Sequence, residues 1–504
     1  MEGYIKARVV ASFKDGVSWN FAAALALSNQ TRLGVEAEQT LNKKGLGQDM
    51  VALRTLLLGN TQKTRDVMPE EIPPLWRSLI WGLQVFAACA PATVVGVLTI
   101  NKYLADNGVT TYQFDPLVAL VAAGLGTIVW TIVTAGLMPN FVGTSFTYIA
   151  AIVSVSVRAA KVVPSGVNPL AYATGAVVQS TLVTLSLALL VYLITKRSGA
   201  NKAAETLAKI VPKVVAANII VNIGLSLAGV GTGMAQTNLV YGIATILLIL
   251  VFRFIPGYLG TIPIVLAIGV VYLVGAISGQ IDVRPVINAP LFRMPGFFLP
   301  RFDLASLVQM IPVCLATSFE TLGHILVLQG LLNRPLMDKL WRALLGDALA
   351  DPAGGMVGTA GNTTYAEGLG VFALVRVFST VVVLMAAFWS IAFGFSGHLN
   401  AFLSSIMTAI LGGAAVVMFG SIAVQGFELA IREHLNFRNI KNFMVTAVMQ
   451  IVGVGNLKLV FRGEEWLSGI SFSIVLGLVI YYFASFLEKR YPKLTREEPE
   501  FSSL

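Results

Sequence analysis

Two short stretches of similar sequence, GTSFTY at residues 143–148 and GNTTYA at residues 361–366, decide how this chain is expected to fold. Each opens with glycine and continues with small hydroxyl or amide side chains, which have low helix propensity. Extended backbone at membrane depth is tolerated only where it is buried in protein or lines a cavity. Interrupted segments at matching places in two halves of a chain therefore predict a binding site. The alternative is that both are ordinary short or kinked helices.

The composition excludes a soluble globular protein. Of the 504 residues, 56% are hydrophobic and only 12% are charged, and the mean hydropathy is +0.77. A soluble domain has about a quarter of its residues charged. The net charge of +9 is interpreted as a set of topology signals rather than as a nucleic-acid interface. Cys89 and Cys314 lie in apolar runs and indicate no disulfide framework.

Fourteen apolar segments are predicted, and a hydrophilic loop at 279–304 separates seven from seven. An odd number per half places the second half upside down relative to the first, which is the inverted-repeat pattern of secondary transporters. The two interrupted stretches each fall in the third segment of their half. Residues 1–78 are predicted to be a cytosolic extension without a signal peptide. The first repeat is predicted at 79–278, an external loop at 279–304, the second repeat at 305–487 and a cytosolic tail at 488–504.

Basic residues in the loops are moderately biased toward one side of the membrane. With the N-terminus inside, the loops and tail predicted to be cytoplasmic contain clusters such as Lys196 with Arg197 and Lys489 with Arg490. This bias favours both termini on the cytoplasmic side of a plasma or bacterial inner membrane.

Four acidic residues lie deep in apolar sequence, namely Glu320, Asp347, Asp351 and Glu367. A carboxylate near the bilayer centre costs at least about 2.5 kcal/mol, and such groups usually mark a pathway. Glu320 and His324 are four apart on a predicted helix, on one face and within hydrogen-bonding reach of each other. Such a pair titrates as a unit near physiological pH. The alternative is a structural polar pair that locks two helices together.

Glu367 is predicted to begin a half-helix directly after the second extended stretch. Half-helix N-termini direct free N–H groups and the positive end of the helix dipole into a cavity, where a carboxylate can accept hydrogen bonds from a ligand. The alternative role for Glu367 is a helix N-cap. Asp347 and Asp351, again four apart, are expected to support the interrupted segments by bonding to their backbone rather than to bind the ligand directly.

Two carboxylates surrounded by backbone polar groups suit a neutral solute with several N–H donors and C=O acceptors better than they suit an anion. A uracil-like ring has two of each in one plane. Phe146 or Tyr365 is expected to cover the face of such a ring. Burying its polar edge without partners would be costly, which is how the site would discriminate.

From about residue 79 to 487 the chain resembles the nucleobase–ascorbate transporters. The resemblance rests on ETLGH at 320–324, GNTTYAEGLG at 361–370 with Arg376 after it, FVGTSF at 141–146 and INAPLF at 287–292. It implies fourteen segments divided into a core (one to four and eight to eleven) and a gate (five to seven and twelve to fourteen), short strands in segments three and ten, and a nucleobase bound between them. Proton symport and a homodimer through the gate are also implied. Departures from the pyrimidine-type pattern are Val85 after Gln84, Gly368 after the second glutamate, and the two aspartates.

Together these arguments predict an all-α polytopic membrane protein that imports a nucleobase, uracil or a related pyrimidine, with a proton. The candidate substrate-binding residues are Glu320, Glu367, Phe146, Ala366 and Tyr365. The candidate proton-coupling residues are Glu320, His324 and Glu367. The candidate supporting residues are Gln84, Asp347, Asp351, Asn362 and Thr363.

Other functions fit the sequence less well. A purine or xanthine permease of the same family stays open, and so does an anion exchanger of related fold, although two acidic site residues disfavour an anion. An enzyme or a receptor is disfavoured because no metal-ligand cluster, nucleophile–base arrangement or phosphate-binding loop is found; GVGTG at 229–233 is interpreted as a turn. No cofactor, metal or nucleic-acid partner is predicted.

Overall fold

A computed structural model of the chain describes residues 66–164, 166–199, 212–461 and 464–490. The predicted extension before residue 66 and the tail after residue 490 lie outside the described residues. The chain divides into two compact units, and the described part of the larger one lies within residues 66–249 and 264–490. The described part of the smaller unit is Leu250–Pro263, which holds the end of one helix and a 3-10 turn at Tyr258–Thr261.

The described residues are mostly helical, and the helices follow the predicted apolar segments closely. Those of the first half are α1 (Leu75–Asp106), α2 (Pro116–Val133), α3 (Ile149–Val162), α4 (Leu170–Ser198), α5 (Lys213–Ser226), α6 (Ala228–Gln236), α7 (Leu239–Arg253), α8 (Pro263–Ile277) and the short α9 (Arg284–Ile287). Those of the second half are α10 (Leu304–Leu332), α11 (Leu340–Val357), α12 (Ala366–Val375), α13 (Thr380–Gly394), α14 (Gly397–Ser405), α15 (Thr408–Arg432), α16 (Ile440–Val454) and α17 (Gly469–Arg490).

Seven helical stretches in the described part of the chain are long and apolar enough to cross a membrane, and five further apolar helices are shorter. The spanning candidates include α5 taken together with α6, which follow each other almost without a break. These helices confirm the predicted class, a mostly helical membrane protein. The count of fourteen spans and the inverted relation of the two halves stay predictions.

Each of the two interrupted segments contains a short strand, as the sequence predicts. Strand β1 (Val142–Thr144) pairs antiparallel with β2 (Asn362–Thr364), and Gly143 lies opposite Thr363. The pairing continues at both ends, where Ser145 N donates to Gly361 O at 2.9 Å and Tyr365 N donates to Phe141 O at 3.0 Å. The extended backbone therefore obtains its hydrogen bonds inside the protein, which is the condition for its survival at membrane depth.

Neighbouring helices fix the strand pair through side chains. Thr127 on α2 accepts a hydrogen bond from Val142 N at 3.0 Å. Asn362 on β2 donates through Nδ2 to Ala122 O at 3.0 Å and to Ala350 O at 3.2 Å. Glycine is required at 143 because a Cβ there would lie 2.7 Å from the Tyr365 ring.

The loop at 279–304 lies along the ends of several helices rather than projecting from them. Arg301 N donates to Ala171 O at 2.7 Å, and Arg293 pairs with Asp115 at 3.2 Å. A hairpin of β3 (Lys458–Phe461) and β4 (Glu464–Ser468) precedes α17, and no strand was predicted there from the sequence.

Candidate functional site

A cavity of about 620 Å³ lies beside the paired strands. One side is formed by α10, β2, the beginning of α12 and Phe146 in the 3-10 turn Phe146–Tyr148 that follows β1. The opposite side is formed by α5 and α15. Segments assigned by family resemblance to the core therefore face segments assigned to the gate.

Glu320 lies on α10 and faces the cavity. Its Oε2 accepts a hydrogen bond from Thr147 Oγ1 at 3.1 Å, which ties the carboxylate to the turn that follows β1. Glu367 is close enough for the two carboxylates to interact electrostatically. Within the described ranges, no ion pair is formed by either glutamate, so both retain acceptor capacity for a ligand.

His324 lies one turn after Glu320, and its Nδ1 is 2.7 Å from Thr364 Oγ1 on β2. Among the described residues, Glu320 is bonded to Thr147 after β1, so the spacing of four places both side chains at the cavity with different threonine partners. Both still line the cavity, His324 being 8% exposed.

Glu367 occupies the second position of α12 and faces the same cavity, which confirms the predicted half-helix. The residue before this helix, Tyr365, provides no side-chain cap for its free N–H groups. The first turn of α12 therefore places backbone N–H groups that have no partner within the helix beside the Glu367 carboxylate. Such an end offers both acceptors and donors to a planar polar ligand.

The two candidate aromatic residues have different surroundings. Phe146 lines the cavity and packs edge-on against Phe419 of α15, with ring centroids 5.8 Å apart. Tyr365 also contributes to the lining, but it is only 3% exposed and its hydroxyl donates to Thr144 O at 2.8 Å. Phe146 is thus placed to cover a ring, whereas Tyr365 mainly joins the strands. Ala366, at the start of α12, lines the cavity as well.

The candidate supporting residues divide into two groups. Thr363 on β2 lines the cavity. Asp347 and Asp351 on α11 are fully buried, as is Asn362, and none of the three is part of the lining. Gln84 lies on α1, and it too is absent from the lining.

A protein-family model described as "Permease family", for xanthine and uracil permeases, matches residues 77–460 of this chain. The chain belongs to the nucleobase–ascorbate transporter family. It is accordingly an integral membrane transporter of a small molecule and not an enzyme.

Curated relatives of this transporter cover most of its length. It is 31% identical over 389 residues to the uracil permease of Bacillus subtilis, a match that spans 73% of this chain and 86% of the relative. It is 33% identical over 390 residues to the uracil permease of Bacillus caldolyticus, with 73% and 85% covered. It is 34% identical over 376 residues to a probable uracil permease of Pasteurella multocida, with 72% and 85% covered.

Solved structures of other transporters share the fold. The transmembrane domain of the cyanobacterial bicarbonate transporter BicA matches with a TM-score of 0.52 at 17% identity, covering 83% of this chain and all of that domain. Murine Slc26a9, an anion transporter solved in an inward-facing state, matches with a TM-score of 0.57 at 10% identity, covering 87% of this chain and 72% of that one. These similarities establish the architecture alone.

Several residues that line the cavity or hold its side chains were not identified from sequence. Thr147 contacts Glu320 and Thr364 contacts His324. Both threonines lie within the two quoted hexapeptides, and their hydroxyl groups could have identified them as hydrogen-bond partners. The opposite side of the cavity is formed by Ala216, Ile220, Ile223, Ile422 and Gln425 among others. The polar amide of Gln425 stands out in the apolar sequence of α15, but nothing distinguishes the apolar members of this set from lipid-facing residues.

A group of charged residues lies where the cavity reaches the start of α5 and the end of α15. Lys213 pairs with Glu433 at 2.6 Å, and Glu428 and Arg432 also contribute to the lining. The cavity therefore extends from the half-buried glutamates to a charged rim at these helix ends.

The segment before α1 is attached to the end of α12. Arg376, the C-cap of α12 with φ 55°, forms an ion pair with Asp66. Val67 N donates to Arg376 O at 3.0 Å, and Phe378 N donates to Val67 O at 2.7 Å. The hydrogen bond from Arg376 lowers the pKa of Asp66, desolvation opposes this shift, and the guanidinium charge acts in the same direction as the hydrogen bond.

Proposed function

We propose that this transporter imports a nucleobase, with uracil or a related pyrimidine as the first candidate, by proton symport. The observation that carries the proposal is that Glu320 and Glu367 face one cavity beside the uncapped first turn of α12. A uracil ring carries adjacent N–H and C=O groups in one plane, so carboxylates and helix N–H groups can pair with its edge. The names of the curated relatives support the same substrate class.

Coupling to a proton follows from the electrostatics of the two glutamates. Two nearby carboxylates in a largely buried site disfavour each other. A proton on one of them removes that repulsion, and a bound N–H donor stabilises the other. Proton and base thus favour the same state, which is the thermodynamic requirement for symport.

Alternating access is proposed as movement of α10, α12 and the strand pair against α5 and α15. The cavity lies between these two groups, so a relative displacement would change which end of it is open. In the same proposal both termini are cytoplasmic and the transporter forms a homodimer through its gate helices. Residues 1–78 and 488–504 would then flank the two repeats on the cytoplasmic side.

The decisive test is uptake of radiolabelled uracil into proteoliposomes by the wild type and by E320Q. Glutamine keeps the shape of the side chain but removes the charge and the proton site, so we expect accumulation to be abolished and uracil binding to weaken by roughly 10–100-fold. D282N, which neutralises an exposed acid in the loop after α8, serves as the matched control. Wild-type uptake by E320Q, or accumulation that does not change between external pH 6 and 8, would contradict proton symport through this site.

Substrate choice within the family is tested by competition. Unlabelled pyrimidines, purines, bicarbonate and sulfate are added to the uracil uptake assay. We expect pyrimidines to compete most strongly. Competition by purines alone would assign the chain to a purine permease, and transport of the anions would assign it to an exchanger.

A further inference from the structure

Gln425 on α15 is a polar residue of the cavity that the proposed binding of a base does not yet use. It lines the cavity from the side opposite Glu320 and Glu367, and the residue is exposed there rather than packed in the protein. Among the described residues, no hydrogen bond or ion pair ties its amide to the protein. A polar group within a membrane-spanning helix is costly, and such groups usually face a pathway or a binding site.

The residues of α15 that line the cavity follow helical spacing. Ile422, Gln425, Glu428 and Arg432 are three, three and four residues apart, so they share one face of the helix. Val424 is 61% exposed and is not part of the lining, so it belongs to a face that is turned away from the cavity. The cavity-facing position of Gln425 therefore follows from the rotation of the whole helix.

Close packing against α5 holds α15 in this rotation. Gly426 faces α5, because a Cβ there would lie 2.6 Å from Val221 N. The two backbones approach so closely that α15 cannot turn about its axis without a clash. Gln425, one residue earlier and therefore about 100° around the helix, is directed toward the cavity.

Gln425 extends toward the depth at which Phe146 is placed to cover a ring. Phe419, whose ring packs against that of Phe146, precedes Gln425 by six residues, which is about 9 Å along the helix axis. Side chains of a helix lean toward its N-terminus, so the Gln425 side chain leans back toward Phe419 rather than toward the charged rim. A base that contacts Phe146 therefore lies on the side to which the glutamine extends.

The two glutamates alone leave part of a base without partners. An ionised carboxylate only accepts hydrogen bonds, whereas a uracil ring carries two C=O acceptors as well as two N–H donors. The N–H groups at the start of α12 supply donors on the side of the glutamates. A glutamine amide supplies two further N–H donors. On the α5 and α15 side of the described lining, Gln425 is the uncharged polar side chain.

We propose that Gln425 is a specificity-determining residue whose Nε2 donates a hydrogen bond to a ring carbonyl of the base held by Glu320 and Glu367. This inference rests on the proposed function and deepens it, because it adds a contact from α15 to those from α10 and α12. A ligand with a poor acceptor at that ring position would leave the amide unpaired, which is how such a contact discriminates.

The test is a cycle that combines a change in the protein with a change in the ligand. Uracil, 2-thiouracil and 4-thiouracil are titrated calorimetrically into the full-length protein in detergent, because sulfur in place of one carbonyl oxygen is a weak acceptor. The variants are Q425M, which keeps the length of the side chain without the amide, and Q425E, which replaces the donor by an acceptor. V424A, on another face of the same helix, is the control.

The contact predicts a change in selectivity and not only in affinity. The wild type and V424A should bind uracil more tightly than at least one thio analogue. Q425M should bind uracil about two- to tenfold more weakly and lose the discrimination at one carbonyl while keeping that at the other. Q425E should lose the same discrimination, which provides a second test if Q425M folds poorly. If the variants weakened all three ligands by the same factor, or none of them, the contact would be overturned.

A failure of the proposed substrate gives a different result. If the wild type binds xanthine but no uracil, the pyrimidine assignment is refuted, and the same cycle is run with xanthine and its 2-thio and 6-thio analogues. Loss of discrimination at one purine carbonyl in Q425M would then support the contact, and unchanged discrimination would overturn it. A wild type that binds neither class of base would overturn both the proposed function and the role of Gln425.

Discussion

The strands β1 and β2 are alike in backbone and different in chemistry. Each is three residues long, follows a glycine or contains one, and pairs with the other in antiparallel register. After β1 the chain makes a 3-10 turn that supplies Phe146 and Thr147, whereas after β2 it enters α12 at once and supplies Glu367. The paired backbone is common to both strands, and the residues that follow them make the cavity lining asymmetric, with an aromatic ring from one side and a carboxylate from the other.

The largest expected effect comes from the acidic residue that only the β2 side provides. E367Q should reduce uracil binding by roughly 10–100-fold and abolish accumulation, because a charge-assisted hydrogen bond at the ring edge is lost. Isothermal titration and proteoliposome uptake measure the two effects, with D338N, which neutralises an exposed acid before α11, as the control. Unchanged affinity would mean that Glu367 forms no hydrogen bond with the ligand, so that the β2 side provides no more polar contact than the β1 side.

The next effect concerns the frame that the two strands share. A Cβ at residue 143 would lie 2.7 Å from the Tyr365 ring, so G143A should lower stability by about 1–3 kcal/mol. G420A on α15, where nothing lies within 4 Å of the added Cβ, is the matched control and should be neutral or slightly stabilising. Melting in detergent compares the two, and equal melting temperatures would show that the strands are not tightly packed.

A moderate effect is expected from the aromatic residue that only the β1 side provides. F146A should weaken uracil binding by about 0.5–1.5 kcal/mol, the range for loss of an aromatic contact. Y365F is the comparison, because it removes a hydroxyl that bonds to Thr144 O but keeps the ring. Titration should detect weaker binding in F146A. If Y365F weakened binding more than F146A did, the assignment of the two aromatic residues would be reversed.

The smallest effect concerns the attachment of residues 66–67 to the end of α12. The lowered pKa of Asp66 means that its ion pair stabilises the fold above the usual aspartate pKa of 3.8 and that this contribution is lost as the pH falls through the lower folded-state value. D66N should therefore cost no more than about 1 kcal/mol at pH 7, because the pair is partly exposed. The difference from the wild type should shrink as the pH falls below 3.8 and vanish once Asp66 is protonated in the folded protein, as followed by melting experiments. If D66N were still less stable than the wild type at that acidic pH, Asp66 would have to stabilise the fold through a contact that does not depend on its charge.

The sequence predicted the features that depend on local residue types. Poor helix formers at two matching places predicted the strands, and four acidic residues in apolar sequence predicted where polar chemistry is buried. It did not predict which threonine holds Glu320 or His324, because that depends on how α10 is rotated against the strand pair. The lining from α5 and α15 was also not predictable, since an apolar residue facing a cavity looks the same as one facing lipid. The β3–β4 hairpin was missed because strands of four and five residues carry little periodic signal.

The pairing of residues 142–144 with residues 362–364 has a consequence for biosynthesis. About 220 residues separate the partners, so β1 enters the bilayer long before β2 leaves the ribosome. Until then its amide and carbonyl groups need temporary partners, such as water, the insertion machinery or a chaperone. The first half alone should therefore be a substrate for membrane proteases, and co-expression of the separated second half should rescue it.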